Sequence, residues 1–229
     1  MIEGIVFDID DTLYLERDYV LSGFADVARQ VGTTPTEIAA LDTWLRDAFE
    51  AGVRDDTFDR LRRSFPTIAV RFRTDELVAL YRIHRPDITL DREVVAVLDR
   101  LRGGSRRLGA LSDGPLMSQS AKVEALDLRR WLDPIVLTAA GAPDFVKPGR
   151  AGFAKIEAAW GLLADRLCYV ADNPDKDFIG PRAMGWRTIR LRRAGQLRWM
   201  VEPRGPEYRP DAEIGDLSEL DGLLDRLAS

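Results

Sequence analysis

Short, unbroken apolar runs recur along the chain and stop abruptly at polar residues. The first, Ile2 to Phe7, is rich in β-branched and aromatic residues and ends at Asp8. A run that is apolar at consecutive rather than alternate positions marks a strand covered on both faces, the usual condition in a parallel sheet. Comparable runs at Arg107 to Leu111, Ile135 to Thr138, Leu167 to Ala171 and Thr188 to Leu191 predict four further strands. Between them the apolar positions fall at helical spacing. Val94, Val95, Val97, Leu98 and Leu101 describe one helix with Asp91 as its expected N-cap, and others are predicted from about Leu116 to Leu126, Phe153 to Trp160 and Phe178 to Met184. Strands alternating with helices of this length imply right-handed crossovers, so the fold class expected is α/β, a doubly wound parallel sheet with helices on both faces.

The rhythm breaks once. For about 75 residues after the first strand the pattern is helical and contains no convincing strand. The pieces are Tyr19 to Val31, Thr36 to Ala51, Thr57 to Phe65 and Asp75 to Ile83, separated by Gly32-Thr-Thr-Pro35, Gly52 and Pro66. The expected organisation is a core made of residues 1–13 and 91–229, with residues 14–90 a helical insertion able to sit over the sheet. Arg192 to Pro210, rich in Arg, Gly and Pro, reads as a surface loop, and Leu217 to Leu227 as a closing helix.

Composition narrows the chemistry. Of 229 residues, 38 are acidic and 33 basic, interspersed, so no sustained basic stripe marks a nucleic-acid partner. The single cysteine, Cys168, excludes an internal disulfide, and the single histidine, His84, excludes a metal site built from several imidazoles. Any metal must therefore be held by oxygen. No apolar run approaches the roughly 20 residues of a membrane span. The early acidic residues Glu3, Asp8, Asp10 and Asp11 do not fit a secretory leader, so a cytoplasmic location is expected.

Four segments carry candidate chemistry. In Ile5-Val-Phe-Asp8-Ile-Asp10-Asp-Thr12 two carboxylates leave the carboxyl end of the first strand, the edge at which open parallel sheets bind ligands. Burying both unpaired would cost several kcal/mol, so a cation or a polar pocket is implied, and Mg2+ suits oxygen donors. The second segment, Leu108-Gly-Ala-Leu-Ser112-Asp-Gly114, ends a strand with a hydroxyl and a glycine turn. The third places Lys147, one of four lysines, in Phe145-Val-Lys147-Pro-Gly149. The fourth, Cys168-Tyr-Val-Ala-Asp172-Asn-Pro-Asp175-Lys-Asp177, ends another strand in an acidic cluster. Each segment alone also reads as ordinary structure: a solvated loop start, a strand-end turn, a loop lysine, or an Asn-Pro turn with Asp175 as a helix N-cap.

In this order the four segments resemble the four motifs of haloacid dehalogenase (HAD) superfamily phosphatases, and the insertion resembles their helical C1 cap. The resemblance implies a Rossmann-like core and a Mg2+-dependent phosphatase hydrolysing a small phosphate monoester through an aspartyl-phosphate on Asp8. Carried over by position, Asp8 is the nucleophile and a metal ligand. Asp10 is the general acid/base, its backbone carbonyl also ligating the metal, and Asp172 is the third ligand. Thr12, Ser112, Asp113 and Lys147 are implied at the phosphate, with Asp177 and Asn173 behind the metal ligands. Asp113-Gly114, Gln119, Lys122 and Asp172 to Phe178 also look like one bacterial subgroup. The partner expected is a small phosphorylated metabolite.

The alternatives differ in residues. Halide displacement does not need an aspartate at position 10, and a phosphonate-cleaving relative would need a cap lysine, whereas residues 13–90 contain none. A phosphomutase, which returns the phosphoryl group to a sugar, and a phospho-accepting signalling domain remain open, although the latter is a module of about half this length. His84 reads as a hinge hydrogen bond, Cys168 as an inert core thiol, and the five tryptophans as packing. The arginines of the insertion read as a solvated face.

Overall fold

The computed structural model describes residues 1–227. The chain runs β1 (Gly4–Phe7), α1 (Glu16–Val31), α2 (Pro35–Glu50), α3 (Thr57–Ser64), α4 (Pro66–Arg71), α5 (Thr74–Ile83), α6 (Arg92–Gly103), β2 (Arg107–Ser112), α7 (Leu116–Ala125), β3 (Ile135–Leu137), α8 (Ala151–Trp160), β4 (Leu167–Ala171), α9 (Ile179–Met184), β5 (Arg187–Leu191), β6 (Ala212–Ile214) and α10 (Leu220–Leu227). It divides into two compact units, one of Met1–Arg17 with the chain from Thr89 onward, the other Asp18–Ile88. Among the described residues no helix is long and apolar enough to cross a membrane.

In the first unit the six strands form one sheet in the order β3-β2-β1-β4-β5-β6, every pair parallel. This is the doubly wound α/β arrangement that the apolar runs imply. β1 lies between β2 and β4, with Gly4 opposite both Arg107 and Leu167, and all four of its residues are buried. The chain builds outward from β1 to β3 on one side and resumes at β4 on the other. That reversal leaves a crevice at the carboxyl ends of β1 and β4, where such sheets take ligands.

On one face of the sheet Phe153 and Ile156 of α8 pack with Tyr169, Phe178 and Trp186, and Phe153 meets the edges of Tyr169 and Trp186 at centroid distances of 4.9 and 5.4 Å. Trp160 and Trp186 bury their rings and still satisfy their indole N–H groups, which donate to the Asp133 carbonyl and to Glu157. Trp131 is buried too, but Trp199 is 43% exposed, so the packing role does not extend to it.

Several local expectations need correction. β6 has no counterpart in the sequence reading, because three residues with a central glutamate on an edge strand carry no apolar run. Pro66 does not merely end a helix; it opens α4, where a proline lacking an N–H is tolerated in the first turn. Asp91 occupies the N-cap position of α6 without a side-chain capping bond. Asp175 caps nothing. Phe178 holds the N-cap position of α9, and the Asp175 carboxylate pairs with Arg204 at 2.7 Å.

The second unit is helical throughout. α2 starts with Thr34, whose side chain accepts from the Glu37 N–H, and with Pro35 in the first turn. Its centre is an aromatic cluster of Tyr19, Phe24, Phe49, Phe58 and Tyr81, with Phe24 edge-on to Phe49 and Phe58. His84 is buried between Tyr19 and Tyr81, and its Nδ1 donates to the Tyr81 carbonyl at 2.6 Å. The arginines are not all solvated. Arg62 donates to the Phe72 carbonyl and Arg54 to that of Phe49, while Arg54 also stacks 3.9 Å from the Phe49 ring.

Candidate active site

Parallel register brings the four segments together. Asp8 follows β1, Ser112 ends β2 and Asp172 follows β4, so three neighbouring strands deliver their polar termini to one edge of the sheet. They surround a cavity of about 110 Å³ lined by Asp8, Asp10, Ser112, Asp113, Asp172 and Asn173, with Glu16, Lys176 and Arg198 at its sides. Its lining is carboxylate, amide, hydroxyl and cationic groups, which suits a charged group rather than an apolar ligand.

Lys147 lies beneath this cavity. Its side chain is fully buried, and Nζ reaches Asp177 Oδ1 at 2.8 Å, Asp8 Oδ2 at 3.1 Å and the Tyr169 hydroxyl at 3.0 Å. Three partners match the three protons of an ammonium. Burial alone would lower the Lys147 pKa, but Asp177 and Asp8 outweigh it and hold the group well above its ordinary value. Tyr169 in turn donates to the Leu111 carbonyl, tying the cation to β2. Asp177 accepts the Asn173 N–H through its other oxygen, which closes the turn after β4. The Lys147 loop is held tightly: a Cβ on Gly149 would come within 2.0 Å of the Asp144 carbonyl oxygen.

Asp8, Asp172 and Asp177 each offer an oxygen within 4.8 Å of the others, all three side chains being buried. Burial, opposed by Lys147 and reinforced by Asp177, pushes the Asp8 carboxyl up to about 6. Burial together with Asp177 and Asp8 also holds Asp172 well above the usual carboxylate value, and its Oδ2 is buried with no hydrogen-bond partner. A buried carboxylate oxygen left unmatched beside other carboxylates fits a hard cation with oxygen ligands. Asp8 and Asp172 line the cavity and Asp177 does not, which makes the first two the better donors. The Asp10 carboxylate stands outside the cluster.

That carboxylate is held elsewhere. Lys122 reaches both its oxygens at 2.7 and 2.8 Å, Gln119 donates to Oδ2 at 2.7 Å, and the Tyr14 hydroxyl donates to Oδ1. Burial raises the Asp10 pKa, but Lys122, Tyr14 and Gln119 outweigh it and leave it below the usual aspartate value. Glu16, beside Asp10, is pushed up to about 7 by burial and by that neighbour.

Other expected residues land differently. Thr12 is fully buried, its hydroxyl has no partner, and it does not line the cavity. Asp113 does line it, but its carboxylate is taken by Lys176 at 2.9 Å and Thr138 at 2.8 Å, so only its backbone is suited to face an anion. Ser112 is 1% exposed and its hydroxyl has only a long 3.5 Å contact to Gln119, leaving it available as a donor.

Sequence reasoning missed the part played by the segment after β5. Its first half is not a free surface loop. Gln196 is buried and donates to the Asp11 and Leu191 carbonyls, and the Leu197 N–H donates to Asp11 Oδ2 at 2.6 Å. Asp11 can reach there because it turns at φ 52°, a conformation aspartate tolerates. Arg190, 1% exposed, donates to the carbonyls of Asp172, Arg198 and Val201. Arg198 thereby comes to the cavity wall, 3.8 Å from Glu16. The signal available was an arginine inside the apolar strand run Thr188 to Leu191, where a charge is unexpected without partners.

Residues 2–185 match the family model of haloacid dehalogenase-like hydrolases. The chain belongs to that family. Among curated relatives of this HAD hydrolase, a glyceraldehyde 3-phosphate phosphatase of Methanopyrus kandleri is 28% identical, the alignment covering 100% of this chain and 99% of the relative. A phosphoserine phosphatase of Thermus thermophilus is also 28% identical, over 65% of this chain and 56% of the relative. Among solved structures, the HAD-hydrolase YfnB of Bacillus subtilis superposes with a TM-score of 0.64 at 18% identity, covering 98% of this chain and 99% of that one. The L-2-haloacid dehalogenase of Xanthobacter autotrophicus gives 0.61 at 20%, covering 98% and 99%. These two similarities speak to the fold shared by HAD hydrolases.

Proposed function

We propose that this HAD hydrolase is a Mg2+-dependent phosphatase that cleaves a small phosphate monoester through an aspartyl-phosphate on Asp8. One observation carries the reading: Asp8, Asp10, Ser112 and Asp172 line a single small cavity, with Lys147 buried against Asp8. The phosphatase names of the curated relatives support it. In this reading the helical unit Asp18–Ile88 acts as a C1-type cap, and the reaction takes place in the cytoplasm.

Asp8 Oδ2 attacks phosphorus in line and the ester oxygen leaves. Asp10, held as the carboxylate by Lys122, Gln119 and Tyr14, first takes up the proton that a monoester monoanion brings in, gives it to that oxygen, and then takes another from the water that hydrolyses the acyl phosphate. The Lys147 ammonium holds the nucleophile and offsets phosphate charge, and the Ser112 hydroxyl donates to a phosphoryl oxygen. Mg2+, held by Asp8, Asp172 and the Asp10 carbonyl, would supply charge neutralisation to nucleophile and phosphate alike.

The experiment is a phosphate-release screen over triose and sugar phosphates, phosphoserine, other phosphoacids and nucleotides. Release is expected with Mg2+, to be lost on chelation and restored on adding the metal back. Turnover that persists in excess chelator would overturn the metal assignment, and no release from any ester would overturn the function.

Asp10→Asn tests the proton transfers. It is expected to lower turnover of an alkyl phosphate by roughly 10²- to 10⁴-fold, the usual contribution of general acid/base catalysis. An aryl phosphate, whose leaving group needs little protonation, should suffer less in the first step than in the second. Acid quench and intact-mass measurement should then find more phosphoryl adduct on Asp10→Asn than on wild type. Equal turnover by variant and wild type on both esters would remove Asp10 from the mechanism.

A further inference from the structure

We propose that Gln119 and Lys122 of α7 are positioning residues that set the orientation of the Asp10 carboxylate for proton transfer, an inference that rests on Asp10 being the acid/base. The two lie three residues apart, so they project from one face of the helix. That face is buried: Gln119 is 2% and Lys122 3% exposed. A glutamine and a lysine sunk in a helix face cost desolvation and side-chain freedom, so they persist only where specific partners compensate.

The partner is Asp10, and the contacts define a plane rather than a mere charge pair. Lys122 Nζ straddles the carboxylate, 2.7 Å from Oδ1 and 2.8 Å from Oδ2. Gln119 Nε2 donates to Oδ2 at 2.7 Å and the Tyr14 hydroxyl donates to Oδ1, one on each side. Rotation of the carboxylate about its last bond would break at least two of these contacts. Asp10 is thus oriented by a helix that follows β2 in the chain as well as by its own turn.

Gln119 links the same carboxylate to the second segment. Its Nε2 also donates to the Asp113 carbonyl at 2.9 Å, and its Oε1 lies 3.5 Å from the Ser112 hydroxyl. Gly114 makes room for it. Gly114 turns at φ 137°, and a Cβ there would come within 2.6 Å of Gln119 Nε2. The strand-end glycine, the phosphate-side serine and the acid/base are therefore coupled through one amide.

Neutralisation of a buried aspartate would give Lys122 a purely structural role, and that role and positioning predict different kinetics. A structural cation affects every substrate alike. A residue that aims Asp10 matters most where the leaving oxygen needs a proton, as the O–H bond at Asp10 breaks and one forms on the departing alkoxide. Misalignment of this kind typically costs on the order of 10- to 100-fold.

The test measures kcat and KM of Lys122→Met, Lys122→Arg and Gln119→Leu with one alkyl and one aryl phosphate in Mg2+, after thermal melts have shown the variants folded. Lys122→Met is expected to lose at least ~10-fold more kcat/KM, which reports the step that expels the leaving group, on the alkyl ester than on the aryl ester, and Lys122→Arg to recover part of it. Gln119→Leu, which removes a neutral donor and leaves no charge unpaired, should show the same imbalance more weakly and serves if Lys122→Met does not fold. Equal losses of kcat/KM on both esters, or none, overturn the proposal. Crystal structures of the variants give a reading independent of activity: an Asp10 carboxylate rotated from its wild-type plane supports positioning, and an unmoved one refutes it. A wild type that releases no phosphate is a separate result, which sinks the proposed function and leaves the crystallographic comparison standing.

Discussion

Asp8→Asn is expected to reduce phosphate release by about 10⁴-fold or more in a chain that still folds, since it removes the attacking oxygen while changing little else. The amide has nearly the volume of the carboxylate, and its oxygen can still accept the Ile9 N–H that meets Asp8 Oδ1 at 2.9 Å. Lys147 loses one partner and keeps Asp177 and Tyr169. The thermal midpoint should therefore stay close to that of the parent chain. Acid-quenched samples mixed with substrate should show no phosphoryl adduct, in contrast to Asp10→Asn, where adduct accumulates. Substantial turnover by folded Asp8→Asn protein would place the nucleophile elsewhere.

Lys147→Met is expected to damage both activity and stability. The methionine fills similar space, so the effect reports the charge rather than a cavity. Asp177, 0% exposed, would keep only the Asn173 N–H among these contacts, beside the buried Asp8 and Asp172. Removing one member of a buried ion pair typically costs about 3–5 kcal/mol, because the other charge is left without compensation. Chemical denaturation should show a loss of that order, and phosphate release should fall with it. Asp177→Asn added to Lys147→Met should recover much of the stability and none of the activity, which separates the two roles. A Lys147→Met chain as stable and as active as wild type would reduce the lysine to a bystander.

The acidic strand ends were readable because chemistry and fold leave marks in the same places. Asp8 and Asp172 follow apolar runs, and a run buried on both faces must stop where the chain meets solvent or a site. Lys147 was readable for its rarity beside arginine and for its position between strands. Gln119 and Lys122 were visible only as a resemblance, since a glutamine and a lysine on an amphipathic helix look like its wet face until something places Asp10 beneath them. Arg190 was hidden for a related reason: its partners are backbone carbonyls of Asp172, Arg198 and Val201, which no residue type announces.

The sequence alone determined the α/β class, five of the six strands, the helical insertion and the order of the four site segments, because burial periodicity and strand-end chemistry are local properties of the chain. Only the tertiary structure decided the strand order β3-β2-β1-β4-β5-β6, which sets β1 and β4 side by side and brings Asp8 and Asp172 within reach of one cation. It also decided that α7 holds Asp10 and that the segment after β5 is pinned to the Asp11 turn. These are pairings between residues 100 or more positions apart, |i−j| being 109 for Gln119 with Asp10 and 185 for Gln196 with Asp11. Long-range pairing is settled by which buried polar groups find partners once the sheet is assembled, and a single sequence carries no periodic trace of that choice.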